Sequence, residues 1–328
     1  MPVRKTERRL PAGLTPDELG QSVAAEGDRA VLISYIISPL VVNRQNRFVV
    51  FVTDASLMDA VQTFAWTITE NTDTPGVQST PTGEFVYTPQ SVGHTTVEVK
   101  LLDAGNQALA TLTLSQEIVM TNAELEDLIE ESASEPGPGI GNLEVARELV
   151  NDHNPYYQAV ALQTPEAGDG FKQFVFSMVS DGALQQPPAQ RQTRLDQLAA
   201  ALNDGTEDFV SLTSEGAGVC KIRMSLLAMI TPGGLPWTEL PEETGQRLTA
   251  DEQLRQTLAA LDENKKIDLF NLIRFPKSNI TYCGKIVEEL RNRYFPGTNF
   301  TDVLMGLSGT RAHWISRYYR EGPLQRTA

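Results

Sequence analysis

Hydrophobic and polar positions change their spacing twice along this chain, first from helical to alternating and then back. Thr15-Pro16-Asp17-Glu18 combines an N-cap, a proline at the first helical position and a glutamate at the third, a capping box that predicts a short helix to about Ala25. After Gly27 the spacing becomes that of strands. Phe48 to Val52 is a β-rich run. Val61 to Thr69 alternates around Phe64, Trp66 and Ile68, and Gly83 to Thr88 carries Phe85 and Tyr87. Thr95 to Leu102 alternates Val97, Val99 and Leu101, and Leu109 to Val119 alternates Leu112, Leu114 and Ile118. Turn signals such as Thr74-Pro75-Gly76 and Asp103-Ala104-Gly105-Asn106 separate these runs, so six or seven strands fit between residues 36 and 120, the pattern of a β-sandwich.

From Thr121 the helical period returns. Thr121 and Glu124 make a second capping box, and Leu125, Leu128 and Ile129 share one face of a short acidic helix whose charged side reads as solvated. Glu135-Pro136-Gly137-Pro138-Gly139-Ile140-Gly141 cannot continue a helix or a strand, and the domain boundary falls there. Beyond it, Leu143, Ala146, Leu149 and Val150 are spaced for a helix over Asn142 to Asn151, and Phe171 to Val179 is a strongly apolar one. Leu195, Leu198, Ala199 and Leu202 line a helix over Arg191 to Leu202. Leu254, Leu258 and Leu261 follow a third capping box at Thr249-Ala250-Asp251-Glu252. Ile280, Cys283, Val287, Leu290 and Tyr294 mark a long helix stopped by Pro296-Gly297, and a last helix runs from about Thr310 to Arg320. Val219 to Ile230, apolar on more than one face, is the candidate for the central buried helix. The predicted architecture is a multi-domain α and β chain. It has an N-terminal arm with a short helix (1–27), a β-sandwich (28–120), an acidic helix with a Pro/Gly linker (121–141) and an all-α domain of about eight helices (142–328).

Three stretches of the strand region resemble a known family. Trp66 in the third strand, then Thr82-Gly83-Glu84-Phe85-Val86-Tyr87-Thr88-Pro89, then Val92 to Asp103, look like an immunoglobulin-like sandwich of the PKD type found in bacterial surface and phage-related proteins. The resemblance covers about residues 30–120. It implies that the tryptophan packs between two sheets, that Tyr87-Thr88-Pro89 leads out of one strand and that Gly93 turns the chain into the next. The inter-sheet cysteine pair of antibody domains is missing, and Val50 and Val99 are the apolar residues expected in its place. Such sandwiches serve as spacers, adhesins and assembly modules, so the resemblance bears on fold and not on activity.

Charge and composition narrow the partners. The 328 residues are 41% hydrophobic and 21% charged, and 27 Lys and Arg against 42 Asp and Glu give a net charge of −15, a sign that opposes nucleic acid and anionic lipid. The charge is unevenly placed. Up to Asn264 there are 16 basic and 37 acidic residues, and from Lys265 onward 11 basic and 5 acidic, so an acidic body carries a basic end. Docking of end on body, within a chain or between copies, is expected to weaken as salt rises. The basic N-terminus lacks the apolar run of a secretory signal. The most apolar stretch, Ala30 to Val42, is interrupted by Ser34, Tyr35, Ser38 and Pro39 and is shorter than the roughly 20 residues of a membrane span. The expected location is therefore cytoplasmic synthesis without a Sec signal, with release as part of a particle. Cys220 and Cys283, each in its own helix-like apolar run, fit a reducing interior and read as small core residues. With His94, His153 and His313 scattered, no metal and no cofactor are expected.

Two clusters remain as candidate chemistry. Gly137 to Asn142 is not a phosphate loop, since no strand precedes it and Pro138 removes an amide. Glu144, Glu148 and Asp152 lie along one helix edge, followed by His153-Asn154-Pro155-Tyr156-Tyr157. Carboxylates beside aromatics are what a helical, acid-catalysed hydrolase of cell-wall glycan needs, and a solvated helix face uses the same residue types. In the last helix Arg311, His313, Trp314, Arg317, Tyr318 and Arg320 are candidate binding residues, of the types enriched at protein interfaces; the competing reading puts Trp314 and Tyr318 in the core. The sequence is thus read as a non-enzymatic structural or interaction protein, a component or cargo of a phage-like or contractile injection particle, with the sandwich as docking module. Protein partners are expected, copies of itself or a particle included, with nucleic acid and membrane insertion disfavoured. The alternative is a muramidase-like glycan hydrolase in the helical domain, with Glu144, Glu148 and Asp152 as its catalytic residues.

Overall fold

Alternating β-formers build two sheets in the first part of the chain, and apolar residues at helical spacing build the second part. The computed structural model describes residues 3–73, 76–121, 123, 127, 147–153, 156, 168–205, 209–213, 216–237, 254–298, 315 and 319. The chain divides into two compact units, Met1–Gly139 and Ile140–Ala328.

The strands of the first unit are β1 (Gln21–Ala24), β2 (Ala30–Ser34), β3 (Leu40–Val41), β4 (Asn46–Val52), β5 (Thr63–Glu70), β6 (Gly76–Thr80), β7 (Glu84–Tyr87), β8 (Gly93–Leu102) and β9 (Ala108–Val119). They form one sheet of order β1-β2-β4-β7 and a second of order β3-β9-β8-β5-β6, which curls into a half-barrel. Neighbours run antiparallel except β3 and β9, where Leu40 pairs with Ile118 and Val41 with Val119. Leu32, Phe48 and Val50 of the first sheet share one core with Phe64, Trp66 and Val99 of the second, an arrangement compatible with a β-sandwich. Trp66 is fully buried and stacks on Phe85 of the opposite sheet with ring centroids 5.2 Å apart, and its Nε1 donates to Thr80 Oγ1 at 2.9 Å. Val50 and Val99 both lie in this core.

Tertiary pairing redraws the start of the chain. The capping box at Thr15 forms, with Glu18 Oε2 accepting from Thr15 N at 2.7 Å, but helix α1 spans only Pro16–Leu19, and Gln21–Ala24 is an edge strand where helix was expected. Gly20 permits the close approach that starts the strand: a Cβ there would lie 2.0 Å from Ser34 O. The residues before it are stitched onto the sheets, since Val3 is buried in the common core and the Glu7 carboxylate accepts from Gly83 N at 3.1 Å. A second short helix, α2 (Ala55–Ala60), is capped by Asp54, whose side chain accepts from Leu57 N at 2.8 Å. Sequence spacing missed α2, named no strand at β2 or β3, and missed β6 behind its turn signal.

A buried polar network links the two sheets. Gln116 continues the inward row of β9 after Leu112 and Leu114; its Nε2 donates to Ile36 O at 2.8 Å and to Gln21 Oε1 at 2.9 Å. Ser34 Oγ lies 3.2 Å from Gln116 Oε1 and accepts from Asn46 Nδ2 at 2.7 Å, while Asn46 Oδ1 accepts from Ile36 N at 3.1 Å. Buried polar groups of this kind are tolerated only when paired. Asn46→Ala removes the donor to Ser34 Oγ and the acceptor of Ile36 N, and is expected to cost about 2–3 kcal/mol. The denaturant midpoint of the first unit reads this loss, and an unchanged midpoint would remove the network from the account.

The second unit holds α3 (Gly168–Gln185), α4 (Pro188–Asp204), α5 (Phe209–Leu212), α6 (Met224–Ile230), α7 (Glu263–Arg274) and α8 (Pro276–Tyr294). A π-helical turn lies at Leu149–His153, and residues 254–260, Ile315 and Tyr319 are helical. Of the expected stripes, Leu195, Leu198 and Leu202 of α4 and Ile280, Cys283, Val287 and Leu290 of α8 are buried, whereas Ala199 and Tyr294 are partly exposed. Val219–Ile230, however, is not one central helix. Residues 217–222 form a turn closed by pairing of Ala217 with Ile222, so Cys220 lies in a turn and helix begins only at Met224. Gly218 makes that turn possible: its φ is +75°, and a Cβ would lie 2.2 Å from Asn279 Nδ2. The buried helix is α7, in which every residue from Ile267 to Arg274 is buried. Asp268, Asn271 and Arg274 hid it by interrupting the apolar pattern; Arg274 lies over the rings of Phe270 and Phe275 at 5.3 and 5.1 Å. Among the described residues no helix is long and apolar enough to cross a membrane. The Pro/Gly linker and the capping box at Thr249 lie outside the described residues, as does most of the acidic helix, of which Ala123 and Asp127 are helical.

Candidate functional site

Of the carboxylates proposed from sequence, Glu144 lies outside the described residues, while Glu148 and Asp152 are both 9% exposed, so neither belongs to a solvated face. Local geometry brings Glu148 and His153 together. Bonding from i to i+5 in a π turn brings residues five apart toward one face, where an α-helix splays them. His153 Nε2 accordingly sits 3.3 Å from Glu148 Oε1. The Tyr156 ring packs near His153, with centroids 6.5 Å apart. From α4, the buried Arg191 donates through Nη2 to the same Glu148 oxygen.

This cluster is an ion pair held out of water. Burial pushes the Glu148 carboxyl up, but the hydrogen bond and charge of His153, and then the charge and hydrogen bond of Arg191, outweigh burial and hold it below its ordinary value. Glu148 Oε2, His153 Nδ1 and Arg191 Nη1 have no hydrogen-bond partner among the described residues. Sequence reading missed Arg191 as a site residue. Its signal was position: it stands in the row of Leu195, Leu198 and Leu202, where a charge must find a partner inside.

A hollow of about 360 Å³ is lined by Met229 and Ile230 of α6 and by Lys285, Glu288, Glu289 and Asn292 of α8, and no member of the Glu148 cluster lines it. Among the described residues no group of three or more His, Cys, Asp or Glu side chains is placed to hold a metal ion. The candidate binding residues Arg311, His313, Trp314, Arg317, Tyr318 and Arg320 lie outside the described residues. From their segment, Ile315 and Tyr319 are helical and buried, four residues apart on one face. Comparison with protein families, with curated proteins and with solved structures finds no match to this chain.

Proposed function

We propose that this is a non-enzymatic structural or interaction protein whose N-terminal unit is an immunoglobulin-like docking module of the PKD type. The observation that carries the reading is the pairing of Glu148. A general acid for glycan cleavage needs a carboxyl kept protonated near neutral pH and within reach of substrate. Glu148 has the opposite electrostatics, held ionised by Arg191 and His153. Strand order supports the immunoglobulin-like assignment: β2, β4 and β7 take the places of strands A, B and E, and β9, β8, β5 and β6 those of G, F, C and C′. Trp66 then falls on strand C, the place of the core tryptophan in such sandwiches. The proposed setting is a phage-like or contractile injection particle. Its support is the resemblance of the sandwich to domains of phage-related proteins, together with the acidic body and basic end that allow copies to pair.

Sedimentation velocity of the intact chain is expected to show assemblies at low salt that dissociate as salt rises. Purified peptidoglycan incubated with the chain is expected to release no reducing ends. Release that Glu148→Gln abolishes, while that variant still gives a folded helical signal at the assay temperature, overturns the reading in favour of the muramidase-like hydrolase.

A further inference from the structure

The two cysteines, unrelated in sequence spacing, meet in the second unit. Cys283 lies within α8 and is fully buried; Cys220 lies in the 217–222 turn and is 1% exposed. Both thiols are free, and Cys283 is close enough to Cys220 to push that thiol's pKa up. The turn is fixed against the helix by side chains around the pair. Asn279, one helical turn before Cys283, accepts from Cys220 N through Oδ1 at 2.8 Å, and its Nδ2 donates to Ile273 O at 3.1 Å. The Tyr319 hydroxyl, itself buried, donates to Cys220 O at 2.9 Å. Gly182 of α3 leaves room for the turn, since a Cβ there would lie 2.4 Å from Val219 O.

We propose that Cys220 and Cys283 form an oxidation site, a dithiol that closes to an intramolecular disulfide on meeting a disulfide or peroxide oxidant and locks the 217–222 turn to α8. In the closure two S–H bonds break and one S–S bond forms. The two protons and two electrons pass to the oxidant, giving two glutathione molecules from glutathione disulfide or two waters from hydrogen peroxide. Burial pushes the Cys220 thiol well up, with the Cys283 thiol adding to it and the Arg191 charge opposing weakly. The reactive thiolate therefore forms when the turn opens, and the same packing shields the disulfide once it closes. A chain that folds among reductants and then reaches an oxidising medium gains a cross-link that its folding did not need.

The test uses the intact reduced chain in glutathione buffers from reducing to oxidising poise, alkylated before mass analysis. The expected product has lost two hydrogens and yields a single linked peptide pair joining Cys220 to Cys283, with no glutathione adduct. It melts about 5–10 °C higher than the reduced form, because the cross-link restricts the unfolded chain. Cys220→Ala and Cys283→Ala each abolish the linked pair and the rise in melting temperature. If either variant fails to fold, the wild-type peptide map still decides. Thiols that persist at a poise that oxidises an exposed dithiol overturn the proposal. So do linkage that appears only after denaturation, stable glutathione adducts at either cysteine, and a lower melting temperature in the linked form.

Discussion

Arg191→Ala is expected to destabilise the helical unit by about 3–5 kcal/mol, the usual result of removing one partner from a buried ion pair. The guanidinium donates to Glu148, and both side chains sit inside the fold. Truncation leaves a buried carboxylate with His153 beside it and, among the described residues, no other cation paired to it. The double variant Arg191→Met with Glu148→Gln is expected to recover part of the loss, since neither member of the Arg191–Glu148 pair is then left charged without the other. Unfolding in urea, followed by the helical signal, measures both. A single variant as stable as wild type would mean that the pair contributes nothing. The wild-type pair also sets a pH dependence. The Glu148 carboxyl is held below its ordinary range in the folded chain, so the carboxylate contributes fully above the unfolded value, and its contribution is lost as pH falls through the depressed folded value. Glu148→Gln is expected to flatten that acid limb of the stability profile.

Trp66→Ala is expected to cost the two-sheet unit a similar amount, about 3–5 kcal/mol, through lost apolar burial and the cavity left between the sheets. The indole is fully buried, faces Phe85 across the core and satisfies its own polar edge through Thr80. Trp66→Phe keeps most of the volume and is expected to recover more than half of the loss. The comparison is made on denaturant midpoints of the sheet unit. A loss under about 1 kcal/mol for the alanine variant would place the tryptophan outside the cooperative core.

The two expectations differ in how visible their origins were. Trp66 stood out in the sequence because strand residues alternate, and the positions of Phe64, Trp66, Val97 and Val99 in that alternation already placed them on one face. Arg191 could be seen only as a charge in an apolar row. Nothing local pointed to Glu148, forty-three residues earlier, because an ion pair between two elements leaves no period. Gln116 and Asn46 are of the same kind: each is a polar residue among strand residues, and each is partnered by groups from other strands. Helix α7 was missed for a related reason, since Asp268, Asn271 and Arg274 lie inside and break the pattern that would have marked them as buried.

Spacing along the chain was enough to separate a strand-rich first part from a helical second part, to locate most of the strands and to mark the buried faces of α4 and α8. Those properties are local: side chains two residues apart share a sheet face, and those three or four apart share a helix face. Packing alone decided that Gln21–Ala24 is a strand, that Cys220 lies in a turn against Cys283, and that Glu148 is an internal counterion. Whether a glycine must yield to a neighbouring carbonyl, or a buried charge has a partner, depends on residues distant in sequence. Their effect on stability exists only once the chain has brought them together.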